Sequence, residues 1–313
     1  MVVEEYHVFT GREAVPPDVT RVRIHESLTV IPARAFEGRP IIELDCHDKV
    51  EKVEEYAFRH CRSLRLAIMP GVRVVERGAF DQCEALAAVE CGKLEIIRDS
   101  AFAWCRSLTS INLLSVKIVE GSAFFYCDAL TNVEFGKELE TIRSRSFFGC
   151  TSLERITIPL KDGMISDNAF PWCKNLKHVD LVEGAILHET IAALLLEEWR
   201  NDMYREIDAI NQILPNGKPN ENLRWKAEAI RTWITNVIRN IIDYRVEHYT
   251  FLKEATITLE LALWKKRLSE INVPGGDEEG RRAKCRVKCG ADIVMKNVLP
   301  FLELPPYTFG RED

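Results

Sequence analysis

Ala79-Phe80-Asp81-Gln82-Cys83-Glu84-Ala85-Leu86 is one copy of a pattern, Ala-Phe-x-x-Cys-x-x-Leu, that recurs through the first part of the chain. Its Phe positions are Ala35-Phe36, Ala57-Phe58, Ala79-Phe80, Ala101-Phe102, Ala123-Phe124, Ser146-Phe147 and Ala169-Phe170, at steps of 22, 22, 22, 22, 23 and 23 residues. Three residues after each Phe, from the second copy on, stands Cys61, Cys83, Cys105, Cys127, Cys150 or Cys173. Three further on stands Leu64, Leu86, Leu108, Leu130, Leu153 or Leu176. A fixed period in this range marks a solenoid in which each repeat is one supersecondary unit.

Inside each unit the apolar residues after the leucine alternate: Val89 and Cys91, Ile111 and Leu113, Val133 and Phe135, Ile156 and Ile158, Val179 and Leu181. Period-two alternation is a strand with one buried face. Five residues before each Phe lies a second aliphatic (Ile31, Val53, Val75, Ile97, Val119, Ile142, Ile165), which anchors the returning arm of the coil. No single coil can bury these groups, so stability comes mainly from contacts between neighbouring coils.

The motif resembles the BspA-type leucine-rich repeats, over roughly residues 18 to 184. The resemblance implies a parallel β-solenoid, a role in protein–protein contact and no catalytic residues to carry over. The expected fold class is α+β. About seven repeats of 22–23 residues form a leucine-rich-repeat-like solenoid with an N-terminal cap over 1–184, and an α-helical hairpin or bundle follows over 185–313.

Residues 1–27 read as the cap, with a strand over Thr20-Arg-Val-Arg-Ile-His25 covering the open first coil. The first repeat is irregular, as terminal repeats are. It has Arg39 in place of the cysteine, and Ile41, Leu44 and Cys46 are displaced by one residue.

The outward strand positions define a candidate partner-binding face. One row reads Asp45, Ile68, Glu90, Asn112, Glu134, Thr157, Asp180; the neighbouring row reads Glu43, Leu66, Ala88, Ser110, Asn132, Arg155, His178. Acids skip rungs in the first row, which separates them by about 10 Å and relieves like-charge repulsion. This face is mildly acidic with an apolar spot at Leu66 and Ile68. It reads either as a solvated sheet surface or as the face that binds a protein partner.

After Gly184 the apolar residues fall at helical spacing, from Leu187 to Leu214. Pro215-Asn-Gly-Lys-Pro219 breaks that run, and a second helix is expected from about Asn222 to Ile271. Ile230, Ile234, Val237, Ile241, Tyr244, His248, Phe251 and Ala255 form a heptad-like seam that would allow two copies to pair through their helices. Pro274-Gly-Gly276 ends the second helix, and a third helical region is expected from Asp277 to about Leu302. Ala185 to Leu196 is the nearest apolar stretch to cover the last coil.

Candidate chemistry is sparse. Cys285 and Cys289 form C-x-x-x-C without further ligands at zinc spacing. Arg281, Arg282, Lys284, Arg286 and Lys288 form a basic run, the basis of an alternative reading as a nuclear or nucleic-acid-associated protein. Against it stand a net charge of −6 and, from residue 185 onward, 19 basic against 20 acidic residues. No nucleophile–base constellation, phosphate-binding glycine motif or H-E-x-x-H is present, so no enzyme activity, metal, cofactor or small-molecule substrate is expected. The ladder of six cysteines suits small apolar side chains in a reducing compartment. With no signal peptide or membrane span legible, the expected location is cytoplasmic, with the nucleus as the alternative.

Overall fold

A computed structural model of the chain describes residues 6–11, 15–182, 191, 194, 196–216 and 225–271. The outer rungs follow the alternation of the repeats. Strands β1 (His7–Phe9), β2 (Arg21–Ile24), β4 (Glu43–Asp45), β6 (Leu66–Ile68), β8 (Ala88–Glu90) and β10 (Ser110–Ile111) form one parallel sheet in that order. Strands β12 (Asn132–Glu134), β14 (Arg155–Ile158) and β15 (His178–Leu181) continue as a second parallel group, joined to the first through the bridge Leu113–Phe135. The interruption lies at Asn112, whose side-chain oxygen accepts the Leu114 N–H at 3.0 Å. That local bond turns the chain away from the ladder.

The returning arms form a sheet of their own: β3 (Val30–Ile31), β5 (Lys52–Val53), β7 (Val74–Val75), β9 (Ile96–Ile97), β11 (Ile118–Val119) and β13 (Thr141–Ile142), all parallel. Each anchoring aliphatic is its inward residue, from Ile31 to Ile142, and Ile165 extends the row by a bridge to Ile142. Carboxylates tie the outer edges of these short strands together. Glu95 receives Arg73 at 3.1 Å and Lys117 at 2.8 Å, and Glu120 receives Arg98 at 2.7 Å.

All seven repeat Phe rings are buried and stacked nearly parallel, with centroids 4.9, 5.0, 5.2, 5.5, 5.1 and 5.5 Å apart from Phe36 to Phe170. Phe9 closes the stack edge-on at 4.7 Å. The six repeat cysteines are buried, and each thiol donates to the carbonyl of the preceding repeat's Phe, as Cys105 does to Phe80 at 3.2 Å and Cys173 does to Phe147 at 2.9 Å. A cysteine is small enough for this slot and still brings a weak donor. Ser146, where the other repeats have alanine, is also buried, and its hydroxyl donates to Glu120 O at 3.1 Å.

The third wall of the coil is the turn that carries the Phe. Residues two before and two after it are left-handed in most copies, at φ between 55° and 63° for Arg34, Tyr56, His60, Gln82, Ser100, Trp104, Ser122, Tyr126, Arg145 and Trp172. Glycine holds the same conformation at 38, 78 and 149. This alternation aims every second N–H at the next rung: Ser100 to Gly121 O, Phe102 to Ala123 O and Trp104 to Phe125 O, at 3.0, 2.8 and 2.6 Å. The wall is therefore a hydrogen-bonded ladder without being a strand.

Helix α1 runs Glu197–Asn216 and helix α2 runs Trp225–Ile271. The chain divides into two compact units: Met1–Glu189 with Asp202–Ile238, and Thr190–Asn201 with Arg239–Asp313. Within the first unit, polar side chains from both helices finish the last coil. Asn211 accepts the Val179 N–H at 2.9 Å. The Lys226 ammonium, on a residue only 8% exposed, donates to the carbonyls of Cys173, Lys174 and Leu176 at 2.7, 3.1 and 2.6 Å. Three coils earlier the counterpart of Lys174 O, the Arg106 carbonyl, accepts the N–H of Ala129 from the next rung. Lys226 thus stands in for a rung that the last coil lacks. Trp233 ties α2 to α1 by donating to Glu206 O at 2.9 Å, and Met203, Ile210, Leu214, Ile230, Ile234 and Val237 are buried in the same unit.

In the second unit, Ile191 and Leu194 are buried and Trp199 stacks on Tyr244 at 5.6 Å. The heptad-like seam is buried at Ile241, whereas Phe251 is 49% exposed and Ala255 is exposed. Most of the stretch 185–196, the third helical region, Cys285, Cys289 and the basic run Arg281–Lys288 lie outside the described residues.

Candidate functional site

The outward rows of the first sheet come together in the register that the repeat spacing requires. Glu43 pairs with Leu66 and Leu66 with Ala88; Asp45 pairs with Ile68 and Ile68 with Glu90. Beyond the interruption, Asn132, Arg155 and His178 are in register, as are Glu134, Thr157 and Asp180. Glu90, Asn112, Glu134 and Arg155 are exposed; Glu43, Asp45, Leu66, Ile68, His178 and Asp180 are half-buried.

The electrostatics of this face differ along its length. At the N-terminal rungs the acids are neutralised. Asp45 receives Arg23 at 2.8 Å, and Glu43 lies 3.5 Å from Arg21 and accepts the Tyr6 hydroxyl. That hydrogen bond, with burial, pushes the Tyr6 pKa up. At the other end Asp180 is paired with Arg155. Glu90 and Glu134 make no ion pair among the described residues. Free negative charge is therefore concentrated on the middle rungs, either side of Asn112. In the sequence, Arg21 and Arg23 read only as cap-strand residues. Their alternation with Val22 and Ile24 was the signal that both face outward beside Glu43 and Asp45.

A second surface feature went unread in the sequence. On the turn wall, Trp104 stacks on Tyr126 at 4.5 Å, and Phe125 stacks on Phe148 at 4.7 Å. These rings occupy positions that vary from repeat to repeat, so the period does not mark them.

Among the described residues no group of His, Cys, Asp and Glu could hold a metal ion. An open groove of about 320 Å³ between α1 and α2 is lined by Glu206, Ile213, Trp225, Glu228, Trp233 and Asn236 among others, and contains no nucleophile–base pair. No described helix is long and apolar enough to cross a membrane.

In-register parallel rungs, a stacked Phe core and a polar outer face define a β-solenoid repeat protein. The chain belongs to the BspA type leucine rich repeat region family, which matches residues 17–94 and 95–192 in six copies. That family points to protein–protein interaction or a surface scaffold, and its members are generally non-enzymatic. No curated protein matches the chain. Among solved structures it is similar to a leucine rich cell surface protein from Faecalibacterium prausnitzii, at 24% identity over 56% of this chain and 57% of that one, with a TM-score of 0.36. A leucine-rich repeat protein from Bacteroides ovatus matches at 20% identity over 54% and 53%, with a TM-score of 0.38. The leucine rich repeat protein of T. pallidum matches at 18% over 57% and 83%, with a TM-score of 0.36. The matched segment spans just over half the length of the first two.

Proposed function

We propose that the protein is a non-enzymatic scaffold that binds a protein partner through the outward face shared by its two consecutive parallel groups of rungs, centred on Glu90, Asn112 and Glu134. The observation that carries this reading is the uneven pairing of charge. Acids at both ends of the face are matched by arginines, while the middle rungs present two exposed carboxylates without a described partner. Leu66 and Ile68, half-buried on the rung beside Glu90, supply apolar area next to the charge. The partner that fits is a protein surface with basic residues around an apolar centre. Burial of all eight described cysteines supports placing the scaffold in a reducing compartment such as the cytoplasm.

The test is affinity capture with the intact chain and with the double reversal Glu90→Lys/Glu134→Lys. Stability should change by less than about 0.5 kcal/mol, as for surface substitutions generally, while the captured partner is lost or its affinity falls. Binding that survives the double reversal would move the interface off this face. Retention on an immobilised polyanion with a steep salt dependence would favour the nucleic-acid alternative instead.

A further inference from the structure

We propose that the turn wall of the fourth to sixth repeats is a second binding site, for an acidic peptide segment that carries an aromatic or proline side chain. Four rings assemble there. Besides the Trp104–Tyr126 and Phe125–Phe148 stacks, Phe125 meets Tyr126 edge-on at 4.8 Å, and Tyr126 meets Phe148 edge-on at 5.5 Å. All four are half-buried, and none belongs to the interior Phe stack. The backbone ladder fixes their spacing, because Trp104 N–H donates to Phe125 O at 2.6 Å and Tyr126 N–H to Phe148 O at 2.8 Å.

The turn conformation sets where the two larger rings stand. Trp104 and Tyr126 sit at φ of 61° and 55°, where Gly38 and Gly149 occupy the equivalent places. The same left-handed turn recurs through the wall, so it belongs to the fold and holds these rings one rung apart. The next rung is shaped to suit: a Cβ at Gly149 would come within 2.7 Å of the Tyr126 ring, so the glycine lets that ring lie flat.

Charge supplies the class of partner. On the earlier copies of this wall four arginines of the turn have a carboxylate, Arg34 with Glu37, Arg59 with Asp81, Arg62 with Glu84 and Arg77 with Asp99, and Arg39 alone has none among the described residues. Beside the rings the pattern stops. Arg106 lies 4.9 Å over Trp104, and Arg145 opens the turn that carries Phe148; neither has an ion pair among the described residues. Trp, Tyr and Arg together are the side chains that dominate protein-binding hot spots. A peptide is favoured over single-stranded nucleic acid because two arginines, Arg106 and Arg145, can meet one or two carboxylates but do not make the basic groove that a phosphate backbone needs.

The experiment is selection of phage-displayed random peptides on the intact chain. Selected peptides are then measured on three variants: Trp104→Gly/Tyr126→Gly, Arg106→Gln, and Glu90→Lys/Glu134→Lys. Glycine already holds this turn position at 38 and 149, so the first variant keeps the backbone conformation; its thermal unfolding confirms the fold. The proposal expects peptides with Asp or Glu beside Trp, Tyr, Phe or Pro. Affinity should fall by about tenfold or more without the rings, as for a hot-spot pair, fall less without Arg106, and hold in the sheet-face variant. It is overturned if no peptides enrich, if they lack acids, or if they keep their affinity without the rings. A labelled oligothymidine that binds with the same ring dependence would also overturn it and assign the wall to nucleic acid. Peptides lost only in Glu90→Lys/Glu134→Lys report on the sheet face, so the two readings fail separately.

Discussion

At the scale of single residues, the repeat period identifies the interior and misses the end. Phe102 is fully buried between Phe80 and Phe124. Phe102→Ala should destabilise by about 3–5 kcal/mol, as buried aromatics do; an unmoved urea midpoint would show that the stack is not the core. Lys226 carries no signal in the sequence, being one lysine in a helical pattern, yet it meets three carbonyls of the last coil. Lys226→Met should cost about 1–3 kcal/mol through the acceptors left unsatisfied. Its pH dependence has a definite sign. Burial lowers the Lys226 pKa to about 8, below the roughly 10.4 of an unfolded lysine. Between these values the unfolded chain binds more protons, so this group makes stability rise with pH across that window. Denaturant unfolding at several pH values should show the stability advantage of the native sequence over Lys226→Met growing with pH across this window, on top of the fall with pH that the buried thiols give to both. The left-handed turn positions were not legible either, because Arg, Tyr, His, Gln, Ser and Trp share them with glycine.

At the scale of elements, strand alternation after each leucine located the first sheet because its inward residues recur at fixed offsets. The return sheet was legible only as one aliphatic per repeat, since each of its strands is two residues long and has no period of its own to display. The break at Asn112 was hidden by the same regularity: asparagine fits an outward strand position, and only its side-chain bond to Leu114 N–H shows that the chain turns there. The cysteine ladder makes a prediction at this level. Burial pushes the Cys61 thiol up to about 12 and the Cys91 thiol to about 11, and raises Cys83, Cys105 and Cys150 well above the ordinary range. Thiolate is the reactive form, so iodoacetamide at neutral pH should leave the eight described cysteines unmodified in the native protein and modify them after denaturation. Peptide mapping that finds Cys105 or Cys127 alkylated under native conditions would contradict their place inside the coil.

For the whole molecule, the central claim is that the solenoid does not end at its last repeat. Asn211 and Lys226 complete the hydrogen bonding of the last coil, and Asp202–Ile238 falls in the same compact unit as the repeats. The change of periodicity at Gly184 marks where the repeats stop, and a reading by period alone has no means of showing which later residues finish them. An uncapped coil would leave N–H and C=O groups and an apolar edge open to water and to other chains. The most direct measurement compares fragment 1–184 with the intact chain by sedimentation and denaturant unfolding. Fragment 1–184 should aggregate or unfold without cooperativity, while a fragment ending at Pro274, which keeps both helices, should stay folded. A soluble, monomeric 1–184 with a cooperative transition as stable as that of the intact chain would contradict the central claim.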